Sequence, residues 1–139
     1  MEQQRPVELI VARQLAAALL VPVLLIDESG DTLFYNEPAE RIFGRRFDEI
    51  EELPFEDRTS IVAPLNDEGR PLPVDQLPGV IAMRERRPAH VAFHMHGLDG
   101  VLRPVSATAV PIESAGGNLL GAIVFVWRRS PAEPGVASE

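Results

Sequence analysis

The sequence predicts an α+β domain: a five-stranded antiparallel sheet with short helices over one face and a flanking helix at the N-terminus. Three observations carry the prediction. Five short runs rich in Val, Leu, Ile, Phe and Thr stand two before and three after a middle stretch of helix and loop signals. Turn chemistry separates neighbouring runs, at Glu28-Ser29-Gly30-Asp31, at Gly97-Leu98-Asp99-Gly100 and around Gly116-Gly117. Ahead of them all, Val7, Val11, Leu15 and Ala18-Leu19 recur at helical spacing. Strands gathered at both ends of a helical middle fit one antiparallel sheet better than alternating strand–helix units.

Taken in order, residues 6–20 read as the flanking helix, with Pro6 suited to its first turn. Leu9, Ile10, Ala16 and Leu20 lie off the main apolar stripe, and within the span only Glu8, Arg13 and Gln14 are clearly polar. A helix apolar on more than one side wants burial on more than one side. Residues 21–27 and 32–35 form a hairpin. Asn36 then caps a short helix with Pro38 in its first turn, Ala39, Ile42 and Phe43 inward, and Gly44 at its C-terminus. The stretch 47–58 alternates acidic residues with Ile50, Leu53 and Phe55, and reads as short turns with a solvated acidic face. A cation site is the alternative, and it would need those carboxylates to converge. Residues 61–74 read as loop with one extended piece. Asp75 is expected to cap a helix running to about Arg87, where Pro88 stops it. Residues 89–96, 101–112 and 119–128 are the remaining strands. The last is a long apolar run from Leu119 to Trp127, as suits a central strand covered on both sides.

Composition narrows the function. A chain of 139 residues fits one core, and its net charge of −8 argues against nucleic acid or an acidic membrane as partner. There is no cysteine, which removes disulfides, thiolate metal sites and cysteine nucleophiles. The longest apolar run, Leu15 to Ile26, is too short to span a bilayer and is interrupted by Pro22. It lacks a basic leader or a small-residue cleavage site, so a cytoplasmic protein is expected. No nucleophile elbow, phosphate-binding glycine loop or His-Glu-x-x-His helix is present, and no catalytic residues are assigned. His90, His94 and His96 share one face of a strand, opposite Val91, Phe93 and Met95. A polar outer face explains them. A metal held by His94 and His96 is the rival, and no metal is expected.

At this point the residues resemble the PAS domain family. Val23-Leu24-Leu25-Ile26-Asp27-Glu28-Ser29-Gly30 followed by Phe34-Tyr35-Asn36-Glu37-Pro38-Ala39-Glu40-Arg41-Ile42-Phe43-Gly44 is similar to the family's opening hairpin and first helix, with Asn36 and Gly44 on its most typical positions. Leu98-Asp99-Gly100-Val101-Leu102-Arg103-Pro104-Val105 resembles its "DG-x-x-R-x-V" hairpin, which marks Asp99 and Gly100. Val110-Pro111-Ile112 and Leu120-Gly121-Ala122-Ile123-Val124-Phe125-Val126 look like its last two strands. The resemblance covers about residues 20 to 128. It departs at the end, where Trp127-Arg128-Arg129-Ser130-Pro131 replaces the Asp-Ile-Thr-like junction of members that feed a coiled output helix.

The resemblance implies a sensory module of signal transduction, not an enzyme, with residues 1–20 as a flanking dimerisation helix, 21–129 as the sensor and 130–139 as a tail or linker. Haem and flavin are not expected. Haem-binding relatives typically place the axial histidine on the long helix, which here has none, and the family's flavin photosensors of the adduct-forming kind need a cysteine. The space between sheet and helices is expected to be walled by Phe34 or Tyr35, by Phe43, Val80, Met83, Phe93, Met95 and Phe125. It is either a solid core or a pocket for a small apolar ligand such as a fatty acid or an aromatic. Val7, Leu9, Ile10, Val11, Leu15 and Leu19 are expected at a homodimer interface, unless the helix folds wholly onto its own sheet. Three functions fit: a sensor that answers a ligand or partner and relays to an effector, a constitutive interaction domain with a filled core, and a small enzyme or carrier using the same cavity.

Overall fold

Helix α1 (Val7–Ala18) starts directly after Pro6, whose ψ of 148° leaves it just outside the helix. The computed structural model describes residues 6–43, 62–96 and 100–129. Gly44, Asp99, the acidic stretch 47–58 and the tail beyond 129 lie outside them. The helix stops at Ala18 rather than continuing to residue 20, because Leu19 is already extended with φ −82° and ψ 151°. Pro22 follows and disfavours helical backbone at Val21, so the chain enters the sheet instead.

The strands are β1 (Val23–Asp27), β2 (Thr32–Tyr35), β3 (Ala89–His96), β4 (Leu102–Glu113) and β5 (Leu119–Arg128). They form one sheet in the order β2-β1-β5-β4-β3, with every neighbouring pair antiparallel. Register fixes the two faces. Val91 pairs with Ala107 and Ala107 with Val126, on the inner face; His90 pairs with Thr108, Thr108 with Phe125 and Phe125 with Val23, on the outer face. Strand β1 is apolar on both faces and needs to be: Leu24 and Ile26 point into the core, while Val23 and Leu25 are buried on the side where α1 lies. Gly121 lets β5 approach β1 closely. Its φ is +152°, and a Cβ there would run into the Ile26 carbonyl oxygen.

The inner face is covered by α2 (Glu37–Phe43) and α3 (Pro78–Glu85). Asp75 does not cap α3. It sits within a separate 3₁₀ turn, Val74–Gln76, and the helix begins at Pro78 behind an extended Leu77. Pro78 is the cause: it excludes helical backbone at Leu77, so the two turns cannot merge. Arg86, left-handed with φ 57°, ends α3. Its guanidinium donates to Glu113 Oε2 and to the Gly117 carbonyl, both at 3.0 Å, which pins that end to the β4–β5 turn. The extended piece expected in 61–74 is Leu65. Its N–H donates to His94 O at 2.7 Å and its carbonyl accepts from His94 N at 2.8 Å, so it covers the outer edge of β3.

Candidate ligand cavity and its mechanical surroundings

Between sheet and helices lies a cavity of about 80 Å³. Leu24 and Ile26 of β1, Phe93 and Met95 of β3, Ala107 of β4, and Val124 and Val126 of β5 form its sheet side. Phe43, Leu77, Pro78 and Gly79 face them, with Val62 and Pro64 at the rim. Of the expected wall, Phe43, Phe93 and Met95 are in place. Tyr35 is buried beside it, its ring meeting Phe43 edge-on at 4.7 Å between centroids, as a core residue. Val80 and Met83 face a different space, an open groove beyond Leu77 and Gly79.

Phe125 is a correction. It lies on the outer face with Trp127, the two rings stacked at 6.3 Å, while Ala122, Val124 and Val126 turn inward. The larger side chains of β5 face out because the inner face is crowded by α3, and Ala107, Ala109 and Ala122 are its small floor. The residues missed were mostly aliphatic. Leu24 and Ile26 could have been found from the parity of Tyr35, which pairs with Leu24.

Asn36 is buried at 1% exposure and joins four pieces of the chain. Its Oδ1 accepts from Ala39 N at 3.1 Å, the expected helix cap, and from Val23 N at 2.9 Å. Its Nδ2 donates to Ala16 O at 2.9 Å and Val21 O at 2.8 Å. A cap on α2 is thus also the clamp that fixes the end of α1 against the start of β1.

The six residues expected at a dimer interface divide. Leu9 is a correction: it is buried in its own domain at 4% exposure, on one stripe with Ala12 and Ala16. Small residues there let α1 come close enough for Ala16 O to reach Asn36. Leu19 has left the helix and is half-buried. Val7, Ile10, Val11 and Leu15 are exposed; Val7, Val11 and Leu15 make a second stripe, nearly opposite the first. Arg13, between stripes, lies over the Phe34 ring at 4.8 Å.

The histidines take the outer face, as their parity requires. His90 bonds Thr108 Oγ1 at 2.7 Å, and His94 Nδ1 stands 3.8 Å from Asp67. Among the described residues no group of three or more His, Asp or Glu side chains converges. Arg103 is buried inside the β3–β4 hairpin and donates to Val101 O at 3.2 Å. Glu85, at the far end of α3, has its carboxyl held below the usual range by a hydrogen bond from Arg87 and the charge of Arg87, with Arg84 adding less. It lies on the surface and is not part of the cavity lining. Among the described residues no helix is long and apolar enough to cross a membrane.

The sequence model of the PAS fold family matches residues 17–132, and the chain belongs to that family. No curated protein matches it. Among solved structures it is similar to the PAS domain of Bordetella pertussis BvgS, with 18% identity, a TM-score of 0.60 and coverage of 94% of this chain and 93% of that one. The PAS domain of nitrogen regulation protein NR(II) from Vibrio parahaemolyticus has 13% identity and a TM-score of 0.61, covering 86% of this chain and 98% of that one. The Rhodobacter sphaeroides LOV protein has 13% identity and a TM-score of 0.68, covering 92% and 71%. At such identities these likenesses speak for the fold. PAS domains are typically modules of sensory signalling.

Proposed function

We propose that this domain is a cytoplasmic sensory module that acts by binding rather than catalysis, in which occupancy of the apolar cavity is relayed through β1 to α1 and a dimer built on it. One observation carries the reading: the two faces of β1. Leu24 and Ile26 wall the cavity, while Val23 and Leu25 are buried on the α1 side. Asn36 ties the same strand to the end of α1 through Val23 N and Ala16 O. A guest that shifts β1 by a fraction of an ångström therefore shifts the helix, and a guest preferring one arrangement moves the population toward it. The Val7-Val11-Leu15 stripe of a second copy is the proposed contact, about a two-fold axis.

The cavity restricts the guest. An engineered cavity of about 150 Å³ takes a benzene ring, so 80 Å³ holds the end of a chain of about three carbons. The three-ring flavin head does not fit it, and a chain without cysteine offers no thiol for an adduct. This disagrees with the flavin chemistry named for one structural neighbour, a light-oxygen-voltage domain. The small volume also favours a second reading, an interaction domain with an essentially filled core. Native mass spectrometry of gently purified protein separates them. A retained apolar mass of defined stoichiometry supports the sensor; bare protein that binds no short alkyl probe supports the interaction domain.

A further inference from the structure

The cavity and the groove beside it share a wall. Ile26, Leu77 and Gly79 line both the inner cavity and an outer groove of about 290 Å³, whose other sides are Glu28, Ser29 and Gly30 of the β1–β2 turn, with Val74, Val80 and Met83. The wall is thin at one point. Gly79 has no side chain there, and a Cβ built on it would meet Ile26 Cδ1 at 2.9 Å. The terminal methyl of Ile26 therefore packs directly against the Gly79 backbone, with Leu77 completing the shared wall, and a rotamer change of that methyl would widen the passage between the two spaces. Together the two volumes reach the lower end of ordinary small-molecule sites, roughly 300–1,000 Å³.

The groove has a charged rim. Asp27 Oδ1 accepts from Ser29 N at 2.9 Å and Asp31 N at 3.0 Å, which fixes the turn and holds Glu28 at its exposed tip. Among the described residues no hydrogen bond or ion pair engages the Glu28 carboxylate. The Glu28 carboxylate at the rim repels an anion and attracts a cation. We propose that cavity and groove are two compartments of one binding site for a cationic amphiphile, its ammonium head at Glu28 and the end of its alkyl chain past Ile26 in the cavity. This rests on the sensory reading above and specifies its ligand class: an alkylamine rather than a fatty acid.

Two methionines report the compartments separately, since Met95 lines the cavity and Met83 the groove. Protein carrying ¹³C-methyl methionine is titrated with octylamine below its micellar concentration and, in parallel, with octanoate. The joint site predicts that both methyl signals shift with one Kd. It also predicts that octanoate binds ~5-fold or more weakly, a difference that disappears in Glu28→Gln and shrinks at high salt. Ile26→Val, which removes the gating methyl, should tighten octylamine several-fold. Gly79→Ala, which presses a methyl against it, should weaken octylamine about tenfold. A shift confined to Met95 would overturn the joint site while leaving a cavity-binding sensor standing. A shift confined to Met83, or equal affinity for amine and carboxylate, would overturn the joint site as well. Silence at both methyls would remove the joint site and the apolar-guest reading together.

Discussion

Asn36 shows how much one buried amide can hold. Its place between a strand and a proline-containing turn marks it as a helix cap, and losing a cap costs about 1 kcal/mol. The structure adds further hydrogen bonds to that one: Val23 N, Ala16 O and Val21 O all depend on the same side chain, with Leu19 O at a longer 3.5 Å. Truncation strands those groups in a buried site, at roughly 1–3 kcal/mol for an unsatisfied donor or acceptor. Asn36→Ala is therefore expected to cost about 3 kcal/mol, seen as a fall of roughly 2 M in the urea midpoint for a domain of this size. Asn36→Asp is expected to cost at least as much, because it sets a carboxylate oxygen against the Ala16 and Val21 carbonyl oxygens in a buried site. Asn36→Ala should also speed amide exchange in residues 7–18, whose last turn loses its tie to β1. An Asn36→Ala midpoint within 0.3 M of the parent (about 0.5 kcal/mol) would remove the clamp.

At the scale of elements, the strand runs and their turns were legible because they are punctuated locally: β2, β3 and β5 fall where β-branched runs and turn residues place them. What was not legible is which side of an all-apolar strand faces the cavity. In β5 the two parities, Ala122-Val124-Val126 and Ile123-Phe125-Trp127, are equally hydrophobic. Bulk favours the second as a cavity wall, yet cross-strand register assigns the first. Register is a tertiary property, set by where β1 can approach β5, and Gly121 is where it does. A glycine inside an apolar strand signals such an approach. Gly121→Ala should accordingly be among the worst single-methyl additions available. The new Cβ meets backbone atoms of Ile26 and Asp27 that cannot move without parting the two strands. A loss of 3 kcal/mol or more, or failure to recover folded protein, is expected. By contrast, Gly116→Ala, whose Cβ would meet only Ser114 Oγ at 3.8 Å, should leave the thermal midpoint within about 2 °C. A Gly121→Ala protein as stable as its parent would mean that β1 and β5 are not paired in this register.

For the whole molecule the question is what covers the outward stripe of α1. The surplus of apolar residues on this helix was legible, but the division of labour was not, because periodicity gives two stripes without saying which faces home. The structure decides by size: Leu9, Ala12 and Ala16 face the sheet, where the alanines permit a close approach, and Val7, Val11 and Leu15 are left in water at 65%, 55% and 56% exposure. Each such side chain forgoes roughly 1.5–3 kcal/mol of burial while exposed. A second copy meeting them about a two-fold axis would recover that for both chains at once. Removing residues 1–14 would not test this cleanly, since it deletes the buried Leu9 along with the interface. Point substitutions do. Val11→Glu with Leu15→Glu should convert a dimer into a monomer by sedimentation velocity while leaving the monomer's unfolding midpoint unchanged, because neither side chain supports the core. Leu9→Ala should do the opposite, costing about 2–4 kcal/mol of stability by opening a void beneath the helix, and leaving the folded fraction dimeric. If the parent protein sediments as a monomer at high micromolar concentration, α1 is not a self-association surface, and the relay through β1 must end on some other partner.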